Sequence, residues 1–327
     1  MTLTHANFND VARQAAQRLA THFSTWNTPR YFLHCNGGFN LDGFFDEKPQ
    51  VFPLKEFSEL PSTPNADGEM PQLLWGDCHE LSILVQVGSW RLSDGHGLLP
   101  TLLPVAVAQA AGIPNAVFID CALSLNPDLK AGHWGMLTDF INGFAFSPLD
   151  GLHHLLDQPF PNLAETLNQF QNSEILNALG EIGETPMLCT FLGRPGFHLF
   201  TTAEVKVAHS QGADFLGHDL PLLLAFAHAL GLRISSLVLA GAQLSPDAPG
   251  TRITRQDFLE TARFRSPQLA RTLRRAIAEL EHRPQDEEPS AKQPVSDQET
   301  PDADELLAAS IRRAATRISP LSKYLKR

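Results

Sequence analysis

Residues 193–219 read GRPGFHLFTTAEVKVAHSQGADFLGHD, and this stretch carries the signals for a turn, a helix and a strand in succession. The glycines and the proline at its start force a tight turn. Thr201 and Glu204 then form a capping box, which predicts a helix over residues 201–211. Such a turn presents its backbone and side chains to a ligand, although the side chains that it offers are apolar: Phe197, Leu199 and Phe200.

Short apolar runs alternate with helical segments along most of the chain. The apolar runs predict strands in RYFLHCN, QLLWG, LSILVQVGSW, NAVFIDCALS, HWGMLTDFI, PMLCTFLG, ADFLGHD and RISSLVLAGA. The segments between them predict helices over residues 5–22, 99–111, 162–179, 201–211, 219–230 and 255–282. Strands that alternate with helices form a mixed or parallel sheet covered on both faces. We therefore expect an α/β fold with a central mixed β-sheet flanked by helices on both faces.

Composition and charge narrow the class of protein. The chain has 327 residues, of which 43% are hydrophobic, and a formal net charge of −11. That charge argues against nucleic acid or an anionic membrane as the main partner. No apolar run is long enough to span a membrane, and the amino-terminal segment does not resemble a signal peptide. We expect no membrane span.

The four cysteines are far apart, and no CxxC pair is present: Cys35, Cys78, Cys121 and Cys189. This spacing shows neither a zinc pattern nor a disulfide framework. Reduced, buried thiols are typical of cytoplasmic proteins. We therefore predict a cytoplasmic protein without a metal site.

The composition changes near the carboxyl end of the chain. Residues 283–303 are rich in Pro, Gln, Ser and acids, so they predict a disordered linker after a domain of residues 1–282. Residues 304–327 form an amphipathic helical pattern with a basic end. Two interpretations of this tail stay open. It is a helix that docks on a protein partner or on its own body, or it is a frayed terminus.

The order of three motifs resembles a known family. These motifs are AVFIDCALSLNPDLKAGHWGMLTDFIN, GRPGFHLFTTAEVKVAHSQGADFLGHD and GLRISSLVLAGAQ. They are similar to segments of the trimeric purine nucleoside phosphorylases, the family that also holds the methylthioadenosine phosphorylases. The resemblance extends over about residues 28–280. It implies a nucleoside-phosphorylase-type fold, a homotrimer, a nucleoside-like ligand and no cofactor, with inorganic phosphate as co-substrate.

On the phosphate side, the family's residue types are partly replaced. Asn36 in HCNGGFN stands where the family has a serine. In GSWRLSDGHG, Ser89 stands at the family's arginine and Arg91 at its histidine. Arg91 can still point into the site, because alternate residues of a strand face the same side. The family's small loop corresponds to Cys121, Ala122 and Leu123, and the leucine is expected to crowd an oxyanion.

The base and sugar side departs further from the family. The resemblance places Phe200 at the glutamate that bonds the purine, and Ala242 at the asparagine that contacts it. His218 and Asp219 stand at the methionine and serine that contact the sugar. Phe160 matches the phenylalanine that a neighbouring subunit inserts over the sugar, which implies a trimer.

Three interpretations of function follow. The first is a family member with a remodelled cleft and little or no phosphorolysis, which acts in ligand binding or assembly. The second is an active pentosyltransferase that holds phosphate with Asn36, Arg91 and the loop amides. The third is a new hydrolase or lyase site built on His218, Asp219 and Asp120. Against the third, Asp219 precedes LPLLLAFAHALG and suits the cap of the next helix.

Overall fold

Two long strands pair with each other and close part of the central sheet into a ring. We describe the fold from a computed structural model, which describes residues 2–23, 26–156, 160–245 and 252–282. The strands are β1 Tyr31–Cys35, β2 Gln50–Pro53, β3 Gln72–Cys78, β4 Leu81–Val87, β5 Asn115–Ser124, β6 Trp134–Asn142, β7 Met187–Gly193, β8 Phe215–Gly217 and β9 Arg233–Gln243. The α-helices are α1 Phe8–His22, α2 Leu99–Ala110, α3 Gln169–Glu181, α4 Thr202–Ser210, α5 Leu220–Ala229 and α6 Arg255–His282. Short 3-10 turns lie at Leu54–Glu56, Leu92–Asp94, His153–Leu155 and Leu163–Glu165.

The sheet is mixed and runs in the order β2-β3-β4-β1-β5-β8-β7-β6-β9. An additional parallel pairing joins β5 to β9, from Asn115 opposite Arg233 to Ser124 opposite Gln243. The strands β5, β8, β7, β6 and β9 therefore form a closed ring, and β4 and β1 extend from it in parallel with β5.

Helices cover both faces of this sheet, as the alternating pattern predicts. One core cluster contains buried residues of α1, α2 and α5, and the other contains those of α3, α4 and α6. The first helix shows why the pattern works. Its buried residues recur every three or four positions, which places them on one side of a helix: Phe8, Val11, Ala12, Ala15, Ala16 and Leu19.

The predicted elements need two corrections. The edge strand β2 was not predicted, because it has only four residues and ends at Pro53. The helix predicted over residues 162–179 begins later, at Gln169. The side chain of Asn168 accepts a hydrogen bond from the Gln171 amide and caps α3 there. The residues before it form a separate 3-10 turn, Leu163–Glu165.

The described helices and strands all belong to one compact unit, Met1–His282. The predicted linker (residues 283–303) and helical tail (residues 304–327) lie outside the described residues. None of the helices in the described ranges is long and apolar enough to cross a membrane.

A row of polar side chains is buried across the sheet beneath α2 and α5. His34 on β1 lies opposite Gln86 on β4 and Phe118 on β5, and Phe118 lies opposite Ser236 on β9. Within the described part of the chain, His34 Nε2, Gln86 Oε1 and Ser236 Oγ have no hydrogen-bond partner. Burial lowers the pKa of His34 to about 4. The ring is therefore neutral in the folded protein at pH 7, and the unfolded chain binds a proton there more readily.

Replacing His34 with Phe should make the protein more tolerant of acid. The histidine costs stability as the pH falls from about 6.5 to about 4, because only the unfolded chain takes up the proton over that range. The difference in unfolding free energy between pH 7.5 and pH 4.5 should shrink by about 2 kcal/mol in His34→Phe. Urea unfolding at the two pH values measures it, with the exposed His153→Phe as control. Equal differences in wild type and variant would show that His34 is not the acid-sensitive group.

Candidate functional site

Several polar side chains meet at the carboxyl ends of the parallel strands. Asn36 directly follows β1, and Arg91 lies shortly after β4. Asp120 lies in the second half of β5, and His218 directly follows β8, which pairs antiparallel with the end of β5. Ligand clefts in sheets of this kind commonly open at the carboxyl ends of the strands. We call this region the cleft.

Arg91 is the central cation of the cleft and is only 8% exposed. Its Nη2 donates to Asn36 Oδ1 at 3.2 Å and to Asp67 Oδ2 at 2.9 Å. The structure therefore brings together Asn36 and Arg91, two residues that the sequence analysis placed on the phosphate side. Gly37 permits this arrangement, since its φ is +99° and a Cβ there would lie 2.8 Å from Cys121 Cβ.

Asp67 joins Arg91 to a second arginine that the sequence analysis did not identify. Nε of Arg255 donates to Asp67 Oδ1 at 2.8 Å, and its Nη2 donates to Asp67 Oδ2 at 2.6 Å. Although burial alone would raise it, the hydrogen bonds and charges of Arg255 and Arg91 lower the pKa of Asp67 to about 2. The carboxylate is therefore ionised and bound by two guanidinium groups.

A second carboxyl group lies within β5, in the segment that the resemblance predicts to be a small loop. Asp120 Oδ1 accepts a hydrogen bond from the Cys121 amide at 2.8 Å. Burial raises the pKa of Asp120 to about 6, against the opposing charge of Arg91. The thiol of Cys121 lies 3.6 Å from the Phe258 carbonyl oxygen, and burial raises its pKa, so it is no nucleophile. Ala122 is also buried.

The position of Leu123 corrects one expectation. From the sequence, its side chain is expected to crowd an oxyanion bound at this segment. The side chain is 1% exposed and packs in the core cluster beneath α3, α4 and α6. It therefore fills the interior, and its size does not restrict the cleft.

Asp219 lies in the N-cap position of α5, but its side chain does not cap that helix. Its Oδ2 accepts instead from the Leu92 amide at 2.7 Å, in the turn that follows Arg91. The predicted capping role is thus wrong, because a donor 127 residues away takes the carboxylate. Burial raises the pKa of Asp219 to about 6.

His218 is a neutral ring packed against an aromatic side chain. Its Nδ1 lies 3.1 Å from the Arg194 carbonyl oxygen, and its ring centroid lies 5.3 Å from that of Phe200. Burial lowers the pKa of His218 to about 4. The proton of a neutral ring that faces a carbonyl resides on the facing nitrogen, so Nε2 is left as an acceptor. Gly193 permits the close turn, since a Cβ there would clash with the His218 carbonyl oxygen.

Other predicted residues do not converge on a catalytic arrangement. His218 and Asp219 each bond elsewhere, and no hydrogen bond joins the two within the described residues. Ala242 on β9 is 6% exposed and packs in the core. Phe160 has a φ of +55° and is 99% exposed, so its ring packs against none of the other residues that the structure describes. Among the residues that the structure describes, no group of three or more metal-ligating side chains is present.

The turn before α4 forms as predicted. The side chains of Thr201 and Glu204 make both hydrogen bonds of the capping box, and α4 begins at Thr202. His198 Nε2 lies 3.7 Å from Glu204 Oε1, so Glu204 belongs to the turn and not to a reacting site. The turn places Phe200 half-buried beside the cleft.

The comparisons with known proteins agree in family. A sequence model described as "Phosphorylase superfamily" matches residues 80–278. Purine nucleoside phosphorylase 1 of Geobacillus stearothermophilus is 24% identical over 256 residues, which cover 76% of this chain and 89% of that protein. The purine nucleoside phosphorylase of Mycobacterium tuberculosis is 28% identical over 249 residues, covering 73% and 87%.

Solved structures agree with the fold. The crystal structure of the Schistosoma mansoni purine nucleoside phosphorylase with adenosine aligns with a TM-score of 0.71 at 19% identity, over 83% of this chain and 97% of that one. A schistosoma enzyme with hypoxanthine aligns at a TM-score of 0.72 and 20% identity, over 85% and 99%. The nucleoside-phosphorylase-type fold predicted from the motifs is therefore confirmed.

Replacing Asp120 with Asn should change how stability depends on pH. The folded pKa of Asp120 is raised from 3.8 to about 6, so the contribution of this group to stability is lost as the pH rises through 6. When the pH rises from 4.5 to 7.5, the unfolding free energy of the wild type should fall by about 1–2 kcal/mol relative to that of Asp120→Asn. Urea unfolding at both pH values tests this, with the exposed Asp128→Asn as control. If the wild type and Asp120→Asn respond to pH in parallel, the raised pKa is refuted.

Proposed function

Since the chain belongs to the phosphorylase superfamily, among the purine nucleoside phosphorylases, we propose that it binds a nucleoside-like ligand in the cleft and supports little or no phosphorolysis. In this proposal the remodelled cleft serves ligand binding or assembly. The relatives that match are themselves phosphorylases by name, so the proposal concerns the side chains of this chain and not its family.

The wall formed by Phe200 and His218 carries the proposal. A departing purine needs hydrogen bonds that stabilise its developing charge. At the two positions that the resemblance assigns to the purine, this chain has the ring of Phe200 and the methyl group of Ala242. His218, packed on Phe200, is neutral and uses its proton on the Arg194 carbonyl. This wall offers an aromatic surface on which a base can stack, but no donor for its departure.

The phosphate side supports the same proposal. The Nη2 of Arg91 and the Cys121 amide are the donors expected to hold phosphate, and both already bind carboxylates of the chain. An incoming phosphate would meet the carboxylates of Asp67 and Asp120 at the donors it needs. Like charges at such distances disfavour binding.

Assembly and location are part of the proposal. We propose a homotrimer, supported by Phe160, a fully exposed aromatic ring at the position that the resemblance gives to the subunit interface. Four buried, unpaired thiols support a cytoplasmic location. A protein partner for residues 304–327 is proposed from the sequence pattern alone.

One observation favours a second candidate, active phosphorolysis of a purine or modified nucleoside. Asn36 and Arg91 meet in the cleft at 3.2 Å, where the family holds phosphate. In that case the protein would be a pentosyltransferase with inorganic phosphate as co-substrate, and Arg91→Ala would abolish its turnover. No observation favours the hydrolase or lyase site on His218, Asp219 and Asp120, because their polar groups bond to separate backbone atoms.

The first test compares binding with turnover. The full-length protein should bind purine nucleosides or purine bases in calorimetry. Its phosphate-dependent release of free base should be about 10² or more below that of the Geobacillus stearothermophilus relative, since loss of one oxyanion-type donor alone costs 10²–10³. A panel of purine and methylthio nucleosides covers the substrate range. Turnover at a rate comparable to that relative would overturn the proposal and establish the second candidate.

A gain of function gives the second test. Phe200→Glu places a carboxylate beside His218 and His198, at the position where the resemblance puts the family's glutamate. We expect phosphorolysis to rise by about tenfold or more, because one such contact is worth up to 10²–10³. Phe197→Glu is the matched control, since Phe197 is 72% exposed on the same turn. Equal rates in both variants would show that the residue at position 200 does not limit the reaction.

A further inference from the structure

The two arginines of the cleft form a binding site for an oxyanion. Arg255 contacts Asp67 with two nitrogens, at 2.8 and 2.6 Å, and Arg91 adds a third contact at 2.9 Å. A forked guanidinium contact of this kind suits carboxylate and phosphate oxygens equally well. The pair therefore matches the shape and charge of a phosphate group as well as those of the side chain now bound.

The bound carboxylate comes from a surface loop and not from the sheet. Asp67 lies between the 3-10 turn Leu54–Glu56 and β3, so it takes part in no strand ladder. Asn65 shapes this loop, since its Oδ1 accepts from the amides of Asp67 and Glu69. Its Nδ2 donates to the Ser89 carbonyl, which ties the loop to the segment before Arg91.

The site has a route to solvent and a spare donor. The side chain of Arg255 is 34% exposed, whereas those of Arg91 and Asp67 are 10% and 4% exposed. An external anion can therefore approach from the Arg255 side. Asn36 is bound to Arg91 through its carbonyl oxygen, and its amide nitrogen makes no hydrogen bond to any other described residue.

The charge balance explains why an intramolecular ligand is held there. Two guanidinium groups that face each other without an anion repel. Asp67 neutralises one of the two positive charges by direct contact, and the Asp120 carboxyl acts on both arginines without a direct hydrogen bond to either. A carboxylate tethered to the same chain has a high effective concentration at the site. Inorganic phosphate has to compete with it, although phosphate offers more oxygens and more charge.

We propose that Asp67 is a tethered internal ligand of a phosphate-type anion site formed by Arg91, Arg255 and Asn36, and that an external anion occupies this site only when the Asp67 carboxylate is displaced or removed. The inference does not rest on whether phosphorolysis occurs, because it concerns anion binding alone. The anion is either free phosphate or the phosphate group of an ester such as a nucleoside 5′-monophosphate.

The test is calorimetry on the full-length protein with inorganic phosphate, a purine nucleoside and its 5′-monophosphate as probes. Asp67→Asn keeps the shape of the side chain and removes its charge. Phosphate or the monophosphate should bind Asp67→Asn about ten- to a hundredfold more tightly than the wild type, the range expected for charged hydrogen bonds set free. The uncharged nucleoside should show no such gain. A gain with free phosphate identifies free anion as the ligand, and a gain with the monophosphate alone identifies an ester.

Controls separate the site from a general effect of charge. Asp128→Asn removes an exposed carboxylate and should leave both affinities at the wild-type value. Adding Arg255→Gln to Asp67→Asn should abolish the gain. If folded Asp67→Asn binds phosphate and monophosphate no more tightly than wild type, the proposal is overturned.

If Asp67→Asn is unfolded because Arg91 and Arg255 repel each other, a second measurement tests the proposal. Phosphate should then restore its folded circular dichroism signal, whereas sodium chloride at equal ionic strength should restore much less. Equal restoration by both salts would show general screening and would overturn the proposal.

Discussion

The parallel pairing of β5 with β9 determines where the polar groups of this protein lie. It runs over the full length of β5 and closes five strands into a ring. Because β1 and β4 run parallel to β5, the carboxyl ends of these three strands lie at the same edge of the sheet. The backbone ladder thus brings side chains from distant parts of the chain into one cleft, and the chemistry of the cleft depends on which side chains stand there.

The three carboxyl groups of the cleft show how the number of donors sets ionisation. Asp67 faces three guanidinium N–H groups, and its pKa falls to about 2. Asp120 and Asp219 each accept one backbone amide, and burial raises the pKa of both to about 6. One neutral donor offsets only part of the cost of burying a charge, whereas paired cations more than offset it. Asp67 is therefore a permanent anion of the folded protein, while the other two are close to their titration range at neutral pH.

Local patterns made much of the fold predictable from sequence. The capping box at Thr201 and the spacing of apolar residues in α1 act over a few residues, so they can be read directly from the chain. The cleft was predictable only in part, through the resemblance of its motifs to a family. The contact between Asp67 and Arg255 joins residues 188 positions apart, and the periodicity of hydrophobic residues cannot predict such a pair. The prediction that Asp219 caps α5 was wrong for the same reason, because the distant Leu92 amide donates to its carboxylate.

The ring also makes folding depend on a contact of long range. Asn115 and Arg233, which begin the two paired strands, are 118 residues apart. Contacts of such long range form slowly, because a large loop must close before they contribute any stability. During synthesis the open edge of β5 stays without this partner until β9 has left the ribosome. Such an edge is a template for wrong pairing between chains, so a chain that ends before β9 exposes an aggregation-prone strand.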